Sequence, residues 1–401
     1  MLENICRINT NIGEDTFVGI KNQEGKFTIT FPVGYRLGKN DNELRSDILL
    51  LLKTLKNNIE HKESDKFSAV DEGAVCDFPI SSYIYLMEDY MINGYYKEFQ
   101  SKFFIGRSGK ISWNKTIKQI TPMLQDDNAV YDKFVVRQNI TNEEEFITYI
   151  HQFCIYRSFK MFGWVYGTFV PQKPKLKFNK EVFLRAITKK EQSTFNDKHK
   201  MLFHHMKQII DDTSKSSISN VGAKYGTNRF EYVWEKLIDK IFGITNKKDY
   251  FPSTYWNLWD LNGKSKCVEN AKLEPDSIMI MDESIYVLDA KYYKYGQTRN
   301  VYDLPDTSSI SKQIIYGEHI YNHNLGKNVY NAFLLPFDSS LWGTEKFHLL
   351  GVAYSEWKDS TKDYELIKGV LADTKYIMKI AEKADKESYR LYLSKMIEIE
   401  K

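Results

Sequence analysis

Cysteine is scarce in this sequence: Cys6, Cys76, Cys154 and Cys267 are spread over 401 residues. No CxxC pair occurs, which excludes a zinc ribbon and a disulfide framework and leaves inert thiols. An excess of charge of one sign is also missing. The formal net charge is only +3, so the whole chain has no strong electrostatic footprint for nucleic acid, although a balanced total is compatible with a local basic surface. No apolar run reaches membrane-spanning length, and the opening stretch MLENICRINTN lacks the apolar core of a signal peptide. The expectation is a cytoplasmic protein with reduced thiols and no membrane partner. Several hydrolase and nucleotide signatures are missing: there is no GxSxG, HExxH or GxGxxG. Gly263-Lys264-Ser265 has Leu258 where a phosphate-binding loop needs its first glycine, so it reads as a turn between strands. His204-His205 has no Glu or Cys at metal-ligand spacing and reads as a solvated helix.

What is present is a globular composition. Hydrophobic residues make up 42% and aromatic residues 14%, which excludes long disordered stretches and allows two domains with ample cores. Residues 16–34 read as a hairpin turning at Asn22 to Gly25. Residues 42–60 have helical spacing at Leu44, Ile48, Leu51, Leu52 and Leu55. Further helices are expected over 79–94, with Gly94 as stop, and over 143–162, ended by Gly163. Residues 104–124 read as a glycine-containing turn leading into a short amphipathic piece. Two prolines among the lysines of VPQKPKLKFNK (170–180) mark a connection, followed by a helical stretch to Ile210 and a polar loop over 211–220. From there the order is a helix over 229–243, a hairpin over 274–293, a helix over 310–323, and strands over 329–337 and 346–357. This order suggests a central mixed sheet flanked by helices.

The hairpin LEPDSIMIMDESIYVLDAK (273–291) carries the chemistry. With Glu283 and Ser284 as the central turn residues, Asp276 falls opposite Lys291 and Ile278 opposite Asp289. Asp276, Asp289 and Lys291 then share one face of one hairpin end. Both faces below them are apolar, as in a sheet covered on both sides. Two carboxylates at the rim of a dry sheet repel unless a cation lies between them, and a hard divalent ion with oxygen ligands suits that place. Such an ion activates water for phosphodiester hydrolysis, with Lys291 beside the developing charge. A surface Asp–Lys pair at a strand end would leave the same trace, and the residues alone leave both readings open.

Pro275-Asp276 followed by Asp289-Ala290-Lys291 resembles the PD-(D/E)xK nuclease signature. The stretches FVGIK and KFTITFPVGY, GRSGKISWNKTI (106–117), YGTNRFEYVWEKL (225–237), the Asp-Ala-Lys hairpin and IKGVLADTK (367–375) occur in an order similar to the LlaJI family of restriction endonucleases, which are McrC-related nuclease subunits. The resemblance implies an α/β C-terminal nuclease domain with a restriction-endonuclease-like mixed sheet, and an α+β N-terminal domain. The expected boundaries are 1–175 for the N-terminal partner-docking domain, 176–220 for a helical linker region and 221–401 for the nuclease domain. It implies Mg2+, with Mn2+ able to substitute, held by Asp276, Asp289 and Glu235, the last on the helix before the hairpin. Gln313 and Tyr316 resemble the Gln-containing helix that follows the lysine, with Gln313 reaching the DNA backbone or the lysine. The implied function is a DNA endonuclease subunit of a McrBC-like antiviral restriction system, acting on double-stranded DNA with a partner AAA+ GTPase. The alternatives are a non-catalytic subunit that activates the GTPase and a self-sufficient nuclease. Arg107, Lys110 and Lys115 around Trp113 read equally as a partner-docking surface and as a structural turn with a buried tryptophan, with DNA contact ranked below both.

Overall fold

The computed structural model of the protein describes residues 2–23, 26–59, 74–125, 128–142, 145–167, 169–216, 223–260, 263–270, 272–324 and 326–399. The chain divides into two units, one made of Met1–Asp77 with Val221–Lys401 and the other of Phe78–Asn220. The first unit opens with β1 (Cys6–Ile8), β2 (Val18–Gln23), β3 (Lys26–Phe31), α1 (Asp41–Ile59) and β4 (Ala74–Cys76). The second unit begins with α2 (Ile80–Asn93), β5 (Glu98–Gly106), β6 (Lys110–Ile111) and α3 (Trp113–Gln119). It continues with β7 (Met123–Gln125), β8 (Asn128–Val130), β9 (Phe134–Asn142), α4 (Phe146–Phe162), α5 (Lys180–Ser193) and α6 (Asp197–Ser216). The first unit resumes with β10 (Ala223–Thr227), α7 (Phe230–Phe242), β11 (Tyr255–Trp259), β12 (Ser265–Glu269), β13 (Ser277–Met281) and β14 (Ser284–Ala290). After them come α8 (Tyr295–Thr298), α9 (Thr307–His323), β15 (Asn328–Phe337), α10 (Ser339–Trp342), β16 (Phe347–Ala353), β17 (Ile367–Asp373), α11 (Thr374–Ile380) and α12 (Glu387–Ile397). Among the described residues no helix is long and apolar enough to cross a membrane.

The expected helices form where their apolar spacing places them. Leu44, Ile48, Leu51, Leu52 and Leu55 are all buried along α1. Asn40 starts that helix, accepting the Glu43 N–H at 3.0 Å and donating to the Glu43 carboxylate at 2.7 Å. Gly94, with φ 72°, caps α2 through its N–H to Tyr90 O. The stretch read as one helix from Lys180 breaks at Thr194 into α5 and α6, and α6 runs through residues 211–216, which had been read as loop. The remainder of that loop, 217–220, lies outside the described residues, as do Glu24 and Gly25 of the first hairpin turn.

The expected domain boundaries differ from those observed. The sheet β1-β3-β2-β10-β4 joins the N-terminal hairpin to a strand some two hundred residues later. At its centre Gly19 pairs with Gly226, and a Cβ on Gly226 would lie 2.1 Å from Val18 O. Only two glycines allow the strands to come this close. Residues 1–77 therefore belong with the C-terminal portion, because backbone pairing between distant segments leaves no mark in local periodicity. Residues 176–220 are not a linker region: Phe183, Ile187, Phe203, Met206 and Ile209 are buried as α5 and α6 pack with α2 and α4.

The site sits on the second sheet of the first unit, ordered β13-β14-β15-β17-β16. Strands β14, β15 and β17 run parallel, and β13 and β16 close the edges antiparallel. Helix α9 covers one face, where Tyr316 and Ile320 pack on Ile278, Ile285 and Val287. Helix α7 packs against β13 and β14 and α12 against β13 and β16, so this sheet of apolar strands is covered by helices, as the sequence pattern requires. Strand β17, within the stretch IKGVLADTK, is a strand that periodicity did not mark. It lies between β15 and β16, and its last residue, Asp373, accepts the Tyr376 N–H at 2.8 Å to start α11.

Candidate active site

The hairpin turns one step earlier than expected. Met281 pairs with Ser284, which makes Asp282 and Glu283 the turn, and Asp282 adopts a left-handed backbone with φ 49°. An aspartate tolerates that conformation. The register shifts by two residues, so every side chain keeps its face while the cross-strand partners change. Ser277 pairs with Leu288, and continuing by one position sets Asp276 opposite Asp289 rather than opposite Lys291.

The two carboxyl groups therefore meet, and they share a hydrogen bond. Burial first, then the Asp289 charge and that hydrogen bond, then the Glu235 charge, push the Asp276 carboxyl up to about 8, while a hydrogen bond from the Ala290 N–H at 2.8 Å pulls the other way. Asp289 is only 7% exposed, and its Oδ2 lies 2.9 Å from Lys291 Nζ. Burial opposes the Lys291 charge, but the Asp289 and Asp276 carboxylates outweigh it and hold the ammonium above its usual range. The expected face is thus assembled, with one positive charge against two apposed carboxyls at the rim of a covered sheet.

Glu235 projects from α7, whose Trp234 is fully buried and donates from Nε1 to Leu334 O at 3.1 Å, fixing the helix against β15. Burial, then Asp289 and Glu231, raise the Glu235 carboxyl, and Lys291 and Lys247 oppose them. Glu235 thus acts on the pair through its charge. Among the described residues no group of three or more Asp, Glu, His or Cys side chains is gathered as a ready-made metal cluster, and Glu235 stands within electrostatic reach of Asp289. The donor set that is present, two apposed carboxyls lacking a full complement of positive charge, still fits magnesium. That ion takes one or two carboxylates and retains waters.

Two expectations on α9 are corrected. Gln313 is fully buried, and its Nε2 donates to Val287 O at 2.8 Å and to Asn331 Oδ1 at 3.3 Å. It ties α9 to β14 and β15 and reaches neither Lys291 nor solvent. Tyr316 is 1% exposed and donates to Glu274 O at 3.3 Å, so it is a wall of the core rather than a contact for DNA or a partner. Helical spacing placed both residues on one face but could not say that the face turns inward.

Lys247 was missed. Its Nζ donates to Asp276 O at 2.6 Å and pairs with Asp239 at 3.0 Å, which clamps the start of β13 to α7. Its only signal was a lysine pair in the NKKD turn. Lys312 was missed as well; it is exposed on α9 with its ammonium 5.6 Å from the Tyr316 ring.

In the second unit Trp113 is 54% exposed, with its edge toward Tyr131 and Phe134, so the reading as a turn with a buried tryptophan is set aside. Arg107 pairs with Asp132, Lys110 is exposed on β6, and Lys115 Nζ lies 3.5 Å from the Phe103 ring centroid. Phe104, Ile105, Ile117 and Leu124 are exposed nearby.

The family model for the LlaJI restriction endonuclease matches residues 17–359. The chain belongs to this family. Four of the five stretches that resemble the LlaJI family lie within the match, and IKGVLADTK lies beyond it. The LlaJI-family chain is also similar to the Type II restriction enzyme BsuMI component YdjA of Bacillus subtilis (strain 168), with 28% identity over 337 residues, 77% of this chain and 70% of the relative. Among solved structures it is similar to a chain in the half-complex from the tetradecameric assembly of Thermococcus gammatolerans McrB AAA+ hexamers with bound McrC. That likeness covers 95% of this chain and 83% of the other at 13% identity and a TM-score of 0.37, too distant to carry a conclusion. Family membership places this chain among restriction-system nuclease subunits.

Proposed function

We propose that this chain is the DNA-cleaving subunit of a McrBC-like restriction system, a PD-(D/E)xK endonuclease that hydrolyses phosphodiester bonds in double-stranded DNA. The observation that carries the reading is the meeting of Asp276 and Asp289 with Lys291 at one edge of a covered sheet. Asp276 and Asp289 would hold Mg2+, with Mn2+ as a substitute. Magnesium bound there supplies an activated water and a Lewis acid at the phosphoryl oxygen. Lys291 places a fixed positive charge where the phosphate gains negative charge. Lys247 holds the Asp276 backbone in place, and Gln313 holds β14. A partner AAA+ GTPase would dock on the second unit, where Trp113, Phe104, Ile105 and Leu124 stand exposed beside Arg107, Lys110 and Lys115. Exposed aromatic and basic residues of this kind suit a protein interface.

Cleavage of duplex DNA is measured with the partner GTPase, GTP and Mg2+ present. Asp289→Ala and Lys291→Ala are each expected to lower the rate about a thousandfold with unfolding temperature and GTPase stimulation retained. Wild-type cleavage by either variant would sink the catalytic assignment.

A further inference from the structure

The ribbon of β11 and β12 is the least covered part of the first unit. Every residue of both strands is exposed. Tyr255, Trp256, Leu258 and Trp259 stand 62%, 63%, 50% and 76% exposed. The register from Tyr255↔Glu269 to Trp259↔Ser265 puts Trp256, Leu258 and Val268 on one face and Tyr255 and Trp259 on the other. The two strands pack chiefly on each other. A lone two-stranded ribbon is marginal in water, and large rings left wet on both faces add nothing to its stability. Its own fold therefore does not account for this composition.

Its position does. The ribbon is rooted by Asn270 N donating to Thr254 O at 2.7 Å and Leu273 N donating to Pro252 O at 2.9 Å. Leu273 precedes Asp276 by three residues, so the strand leaving the ribbon runs directly into the acidic pair. The charges are also sorted. Asp260 accepts the Lys264 N–H and Glu269 accepts the Ser253 hydroxyl, so both carboxylates are turned to the ribbon's own frame. The ammonium groups of Lys266 and Lys272 have no partner among the described residues.

Resting on the nuclease reading above, we propose that this ribbon is a DNA-engaging element that enters a groove of the duplex beside the scissile phosphate. A two-stranded ribbon has the width that the major groove of B-form DNA admits. Trp256 and Leu258, on the face that also carries Lys266, lie against the base edges, and Lys266 and Lys272 take flanking phosphates. The duplex held at Asp276 and Asp289 thereby covers the Trp256 and Leu258 side chains that the protein itself leaves in water.

The test uses the full chain and a fluorescein-labelled duplex in EDTA, where cleavage is blocked and binding is read by anisotropy. The Trp256→Ala/Leu258→Ala double variant is expected to weaken binding by about tenfold or more with an unchanged unfolding temperature. Lys266→Ala is expected to reduce the slope of log affinity against log salt by about one. The proposal is overturned by wild-type affinity in the Trp256→Ala/Leu258→Ala variant, by a wild type that shows no duplex binding at low salt, or by a loss confined to self-association in light scattering. The nuclease reading fails separately, through an Asp289→Ala variant that still cleaves.

Discussion

A side chain's task in this molecule depends on which of its atoms are already engaged. In Gln313 the Nε2 is taken up by Val287 O and Asn331 Oδ1 while the buried Oε1 has no hydrogen-bond partner, whereas the Lys291 ammonium stands at the rim beside Asp289. His151 shows the same logic in the second unit. Its fully buried ring accepts the Tyr96 N–H at 3.0 Å, and burial pushes its pKa down to about 3. The unfolded chain takes up that proton near pH 6.5, whereas the folded ring stays neutral until far lower pH. Its contribution to stability is therefore full above pH 6.5 and falls by about 1.4 kcal/mol for each pH unit below it. His151→Asn keeps an acceptor for Tyr96 and is expected to flatten this dependence, as checked by urea unfolding between pH 7 and 5; an unchanged slope would refute the assignment. The carboxylates and the lysine of the site could be read in the sequence because alternation assigns faces. The inward turn of Gln313 and Tyr316 could not, because helical spacing marks a face without saying what covers it.

At the scale of elements, packing depends on close approaches that few residues allow. The Gly19↔Gly226 pair lets β2 and β10 meet, and a methyl group at either position would collide with backbone. Gly226→Ala is expected to cost about 3 kcal/mol or more in unfolding free energy, and a loss below 1 kcal/mol would show that the strands can part without harm. Gln313→Ala removes the partner of Val287 O and opens a hole beneath β14, so it is expected to cost about 2–4 kcal/mol. Cleavage per folded molecule should be largely kept, and a selective loss of rate at full stability would restore a direct catalytic role for Gln313. The helices were legible because apolar side chains recur with the helical period. The hairpin register was not, since the sequence offers both Asp282-Glu283 and Glu283-Ser284 as central turn residues, and the left-handed backbone at Asp282 selects the first.

At the scale of the molecule, the first unit closes on itself where the second departs and returns. Asp77 N donates to Lys224 O at 2.9 Å, and Lys224 N donates to Asp77 Oδ2 at 2.9 Å. The first unit therefore needs only a short bridge there. Replacing residues 79–222 by a short Gly/Ser linker is expected to leave a cooperatively unfolding first unit that has lost stimulation of the proposed partner GTPase. A molten product, without a cooperative transition, would show that the second unit is required for the fold.

The sequence by itself determined the helices, the apolar faces of the 277–290 hairpin, and the placing of Asp276, Asp289 and Lys291 on one side of it, because period and alternation are local properties of the chain. Only the tertiary structure decided that Asp276 faces Asp289, that Lys247 clamps it, that Gln313 and Tyr316 turn inward, and that residues 1–77 complete the unit carrying the site. Those outcomes rest on backbone pairing and burial between segments far apart in the chain, whose geometry no local pattern records.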